Sequence, residues 1–227
     1  MKKGESIMKS DNEVLKEKKQ HTKKIVLFGG ALLIIIVAGL CYLYDMNWWF
    51  FNDHEVAGLP TGKIAPIEVE NDEITSLLIA NSGGIKFNAQ QKEATIYLDY
   101  YEYDHFKKQD TVTGWISDGS QGISSEVYWI TLDGEDGMMP ETLRMQSGIN
   151  GDSARISYDF ANVGWKKTED LAVTFGLDIE ENIKKGKKYY LQIWTANGRC
   201  YSDPSEALKK EALQASPETM AMYIVFE

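Results

Sequence analysis

The sequence predicts an all-β domain, built as a sandwich with one short helix, that follows a single membrane-spanning helix. Three observations carry that expectation. An uncharged apolar run of helix length lies near the N-terminus, short apolar runs recur every 10–20 residues beyond it, and one helix start stands late in the chain.

The chain has 227 residues and a net charge of −10, but the charge is unevenly divided. Residues 1–24 hold eight lysines and four acids, a net of +4, which leaves 16 basic and 30 acidic side chains, a net of −14, for the rest. Residues 25–44, IVLFGGALLIIIVAGLCYLY, carry no charge and join the two parts. At about 1.5 Å per residue such a helix spans about 30 Å, the depth of a bilayer's hydrocarbon core, so membrane lipid is its expected partner. Lys23 and Lys24 flank its start, which places the basic tail 1–24 in the cytoplasm and the C-terminal domain outside the cell. The run is too long for a signal peptide's apolar core and leads into bulky aromatics rather than a small-residue cleavage site. Cys41 is preceded by Leu40, not by the small residue that a lipid-modified cysteine requires.

Residues 45–72 read as an aromatic belt followed by a stalk. Trp48, Trp49, Phe50 and Phe51 suit the headgroup layer, and the polar stretch with Pro60, Gly62 and Pro66 shows no sustained period. Leu59-Pro60-Thr61-Gly62 lacks the residue that separates proline from threonine in a cell-wall sorting signal, and it reads as linker. With Cys41 in the apolar run, Cys200 is the lone cysteine outside, so the domain must be held by its core rather than by disulfides. The lysine-rich tail, the anchor and the missing disulfides together resemble surface proteins of Gram-positive bacteria.

The β domain is expected over residues 73–227. Strands are read near 74–80, 85–88, 94–103, 111–116, 126–132, 142–146, 154–160, 171–177, 189–196 and 220–226, each bounded by Gly, Asn, Asp or Ser. The last, MAMYIVF, is continuously apolar and so reads as buried on both faces. Between the last two, Asp203-Pro204-Ser205-Glu206 offers an N-cap, a proline at the first helical position and a glutamate two residues on, with Glu206 and Lys210 spaced as an i,i+4 pair.

Ile183-Lys184-Lys185-Gly186-Lys187-Lys188-Tyr189, followed by Leu191, Ile193 and Asn197-Gly198, resembles the corner between the E and F strands of fibronectin type III domains. The resemblance covers residues 171–204 and departs where Lys185 replaces the usual proline. It implies an immunoglobulin-like sandwich in which Tyr189 is the tyrosine corner, its ring in the core and its hydroxyl bonded to backbone upstream. Family members are mostly adhesive or spacing modules.

Catalytic patterns are weak. His54 falls in the stalk and His105 in a charged turn, with no nucleophile elbow or phosphate-cradling glycine loop nearby. No spacing singles out a carboxylate pair among the 30 acids, although a carbohydrate-active enzyme is the third reading. No catalytic residue is therefore named and no cofactor is expected. Asp133, Glu135 and Asp136 in the turn Asp133-Gly134-Glu135-Asp136-Gly137 are calcium candidates, because oxygen ligands on a flexible loop are what calcium takes; an Asp-Gly hairpin turn explains them equally.

Parity along the strands gives the sharper candidate. With Ile96, Leu98 and Tyr100 inward, Tyr97, Asp99, Tyr101 and Tyr103 face out. With Tyr128, Ile130 and Leu132 inward, Trp129 faces out. With Tyr189, Leu191 and Ile193 inward, Tyr190 and Trp194 face out. On one sheet these rings would make an aromatic ligand-binding face. Nucleic acid is disfavoured as a partner at −14, and the lysines 184, 185, 187 and 188 read as a solvated turn. The expected function is a non-catalytic, membrane-anchored surface module that binds an envelope polymer, a carbohydrate or a protein. The alternative is a structural subunit of a membrane assembly.

Overall fold

A computed structural model describes residues 26–48, 51, 55–70, 79–119, 121–133, 140–149, 152–165 and 171–227. The chain divides into two compact units, Met1–Asp45 and Met46–Glu227. In the first, the apolar run forms α1, Val26–Asp45, a helix long and apolar enough to cross a membrane.

The second unit is mostly β, with two antiparallel sheets. Its described strands are β1 Lys63–Ile67, β2 Asn81–Ala89, β3 Glu93–Glu102, β4 His105–Ile116, β5 Ile123–Asp133, β6 Pro140–Ile149, β7 Asp152–Asp159, β8 Ala172–Phe175, β9 Glu181–Asn182, β10 Tyr189–Thr195 and β11 Glu218–Phe226. One sheet runs β7-β6-β5-β2-β1-β9 and the other β4-β3-β11-β10-β8. One core lies between them: Phe87, Val127, Trp129 and Leu143 of the first sheet meet Ile96, Leu98, Ile224 and Phe226 of the second. Sheets that each carry an apolar face bury it by stacking, which is the sandwich the strand pattern predicts.

Nine of the expected strands coincide with β2–β8, β10 and β11. Of the expected strand 74–80, residues 74–78 lie outside the described residues. The alternation in β3 holds, with Ala94, Ile96, Leu98 and Tyr100 all buried. The C-terminal strand is central in its sheet, paired with both β3 and β10, and all nine of its residues are buried. Tyr189 has the expected corner geometry: its buried ring packs on Phe226, its hydroxyl donates to the Asn182 carbonyl at 2.7 Å, and the Lys184 N–H donates to it at 2.7 Å.

Four expectations are corrected. The described residues of the stretch read as stalk, from 46 onward, belong to the β unit. Lys63–Ile67 pairs along its length with β2, so Pro66 sits in a strand beside Ile85. Upstream, Val56 and Leu59 are buried, and the side chain of Asn88 holds their backbone: its Oδ1 accepts from Val56 N–H at 2.7 Å, and its Nδ2 donates to the Val56 and Leu59 carbonyls at 2.9 and 2.6 Å. Second, β5 has the opposite phase, with Val127 and Trp129 inward and Tyr128 outward. Both parities of that strand are apolar, so composition did not choose between them. Third, the register of β10 shifts between Tyr190 and Gln192. A bulge turns later side chains to the other face, so Trp194 enters the core against Phe160 while Ile193 packs outward with Ala207 and Ala221.

Fourth, the helix is two short ones, α2 Pro204–Ala207 and α3 Lys210–Gln214. Asp203 caps α2 through Ser205 N–H as expected, but Lys209 is extended at φ −66° and ψ 148°. Glu206 consequently pairs with Lys209 at 3.7 Å rather than with Lys210.

One edge of the sandwich is latched by a side chain. Tyr158 on β7 donates its hydroxyl to Asp110 Oδ2 on β4 at 2.8 Å, joining the edge strands of the two sheets. That bond holds the Asp110 carboxyl below the usual carboxylate range, while partial burial opposes it and Lys108 assists. A depressed carboxyl contributes stability above its unfolded-state pKa and loses it as pH falls through its folded one. Tyr158→Phe should therefore cost about 1 kcal/mol at neutral pH and should narrow the stability lost between neutral pH and the acid side of the carboxylate range. Urea melts of both proteins across that range check it; parallel stability profiles would refute the latch.

Candidate functional site

The outer face of the β4-β3-β11-β10-β8 sheet carries a polar and aromatic cluster centred on Asp99. Asp99 stands on β3 opposite Gln109 of β4 and Ala221 of β11. Ala221 itself is buried against Ile193 and Ala207. Asp99 Oδ1 accepts from Gln109 Nε2 and from the Tyr223 hydroxyl, each at 3.0 Å, and Oδ2 accepts from Lys188 Nζ at 2.9 Å. Gln109 Nε2 also donates to the Tyr223 hydroxyl at 2.6 Å. The Lys188 ammonium lies 4.0 Å from the centre of the Tyr223 ring, within cation–π range.

Three half-buried tyrosines surround this centre. Tyr97 and Tyr190 flank Tyr223, each with ring centres 5.7 Å away, and Tyr101 packs edge-on against Phe106 at 5.6 Å. Burial and the Asp99 charge push the Tyr101 phenol up to about 12. Burial likewise raises Tyr190 and Tyr223, so all three rings stay neutral and offer hydroxyls as donors. Burial disfavours the Lys188 ammonium, yet Tyr223 and the Asp99 carboxylate outweigh it and hold the lysine protonated. Asp99 is 2% exposed and charge-compensated, which suits it to hold the cluster together rather than to attack a substrate.

Of the residues expected on this face, Tyr97, Asp99, Tyr101 and Tyr190 are together. Tyr103 lies at the β3–β4 turn at φ 50° and is 52% exposed. The two-residue turn between β3 and β4 requires a positive φ at its first position, which accounts for this conformation. Trp129 and Trp194 are not on the face. Both lie in the core, where Trp129 Nε1 donates to Gln192 Oε1 at 2.6 Å. Sequence reasoning missed Tyr223, Lys188 and Gln109. A tyrosine inside the otherwise aliphatic MAMYIVF was the available signal for the first. Lys188 belongs to the run read as a solvated turn, and only the fold brings it to Asp99.

Of the calcium candidates, Glu135, Asp136 and the side chain of Asp133 lie outside the described residues. Among the described residues, no group of three His, Cys, Asp or Glu side chains is placed to hold a metal ion. Comparison with family models, with curated proteins and with solved structures found no match to this chain.

Proposed function

We propose that this chain is a membrane-anchored surface protein whose extracellular, immunoglobulin-like β-sandwich binds a ligand without catalysis, through the tyrosine face around Asp99. The observation that carries the reading is the set of half-buried rings, Tyr97, Tyr101 and Tyr190, fixed about a compensated Asp99–Lys188 pair. Rigid amphipathic rings beside charge-assisted donors bind at low entropic cost, which is what recognition surfaces use. The apolar length of α1 and the lysines of residues 1–24 support anchorage with the N-terminus inside. The Tyr189 corner supports the immunoglobulin-like assignment, although a C-terminal strand in mid-sheet is a departure from it.

The ligand class that fits is an envelope polymer of a Gram-positive cell, met by ring stacking and by Lys188. The test is co-sedimentation of residues 46–227 with purified bacterial cell wall, a length set by the folded segment beginning at Met46. Binding should fall about tenfold in Tyr97→Ala and Tyr190→Ala while Trp129→Phe leaves it unchanged. Failure to sediment by a folded protein would reject the polymer, and a fixed partner recovered from detergent would favour a structural subunit.

A further inference from the structure

A second surface, on the other sheet, has the chemistry of a carboxylate-binding site. The chain contains three arginines, Arg144, Arg155 and Arg199, and two of them lie side by side on one face. The register aligns Tyr128, Gln146 and Arg155 in one row across β5, β6 and β7, and Ile130, Arg144 and Ser157 in the next. Residues directly opposite in antiparallel strands share a face, so all six project to the same side. Val127, Trp129, Leu143, Met145 and Tyr158 occupy the other, core side. The six line an open groove of about 520 Å³.

Arg144 and Arg155 are diagonal neighbours on β6 and β7, which places their Cβ atoms roughly 7 Å apart, close enough for both guanidinium groups to reach one anion. Among the described residues neither forms an ion pair, whereas Lys63, Lys107, Lys108, Lys187, Lys188 and Lys209 each have an acidic partner. Asp159 stands diagonal to Arg144 on the same face, but it accepts from the Ala161 N–H and forms no ion pair with the arginine, so the two adjacent guanidinium groups repel each other and an anion between them relieves that repulsion. The planar fork of arginine matches a carboxylate bidentately.

The rest of the groove indicates what carries the carboxylate. Tyr128 is half exposed, and its hydroxyl is held 3.2 Å from Glu126 Oε2. Its ring lies beside Gly84, where an added Cβ would come within 3.2 Å of Tyr128 Cδ1. The glycine thus lets the ring settle low on the sheet as a platform. The groove crosses β5, β6 and β7; β5 and β6 are paired on both sides and only β7 has an open edge, so the groove floor itself gives a peptide no strand to extend. The −14 of the chain beyond residue 24 disfavours long polyanions.

We infer that this groove binds a carboxylate-bearing sugar, with the acid between Arg144 and Arg155, the pyranose ring on Tyr128 and a ring hydroxyl at Gln146. This site is separate from the tyrosine face and does not depend on it.

The test titrates the full chain, in detergent, with a trimer of galacturonic acid and with its neutral methyl ester, following heat and amide shifts. The acid should bind about tenfold tighter than the ester, and Arg144→Gln and Arg155→Gln should each remove about that advantage. Tyr128→Ala should weaken acid and ester alike. These side chains are on the surface, and an unchanged melting temperature in each variant will confirm folding. Equal binding of acid and ester, absence of binding by the acid, unchanged affinity in both arginine variants, or stronger binding of glycerol phosphate than of the acid would each overturn the inference.

Discussion

Removing residues 219–227, which takes all of β11 but its first residue, should abolish folding of the β unit. β11 is not an appended edge: it is hydrogen-bonded to β3 on one side and β10 on the other, with all nine residues buried. Met220, Met222, Ile224 and Phe226 point into the shared core. Each such side chain contributes about 1.5–3 kcal/mol by burial, so the four together approach the whole net stability of a typical domain, about 5–15 kcal/mol. Deletion also leaves two strand edges unpaired beside an open core. The check is far-ultraviolet circular dichroism and protease resistance of residues 1–218. A folded, protease-resistant 1–218 protein would sink the prediction.

Asn88→Ala, at a buried position on the side of the first sheet away from the shared core, should be strongly damaging, and its damage should be local before it is global. The carboxamide is fully buried and holds the backbone of Val56 and Leu59 through three hydrogen bonds. Leu59 keeps a second donor, Asn47 Nδ2 at 2.8 Å, but the Val56 N–H and carbonyl lose the side chain that satisfies them. An unsatisfied buried polar group costs about 1–3 kcal/mol, so a loss of about 3 kcal/mol is expected. Because the bonds hold a loop rather than the core, residues 46–62 should release first. Limited proteolysis should cut there while the sheets still protect their amides from exchange. Simultaneous loss of both protections would mean that the segment is integral to the sandwich, and wild-type resistance would mean that Asn88 does not secure it.

The elements legible in the sequence are those whose signal is local. An uninterrupted apolar stretch makes α1 whatever surrounds it, because helix hydrogen bonds close within the segment. The alternation of β3 left one inward solution, since only its even positions are consistently apolar. The corner at Tyr189 was legible because its bonding partners, Asn182 and Lys184, lie within seven residues.

The candidate site was half legible for the same reason. Tyr97, Asp99 and Tyr101 come from one strand with a clear period, and their common face follows from it. Strand β5 offered no such guide: Val127 and Trp129 compete with Tyr128 and Ile130, and the choice fell to which side the opposing sheet fills.

The sequence by itself determined the apolar helix, the succession of most strands, the buried C-terminal strand and the capped start at Asp203. Tertiary structure alone decided the rest. It recruited Lys63–Ile67 as a strand because β2 presented a partner, despite Pro66 and Gly62. It turned Trp194 inward through a one-residue bulge that no composition marks. It brought Lys188 to Asp99, 89 positions away, and it set Arg144 beside Arg155. Strand pairing and sheet stacking join residues without regard to their distance along the chain, so a side chain's face is set by its partners as much as by its own position.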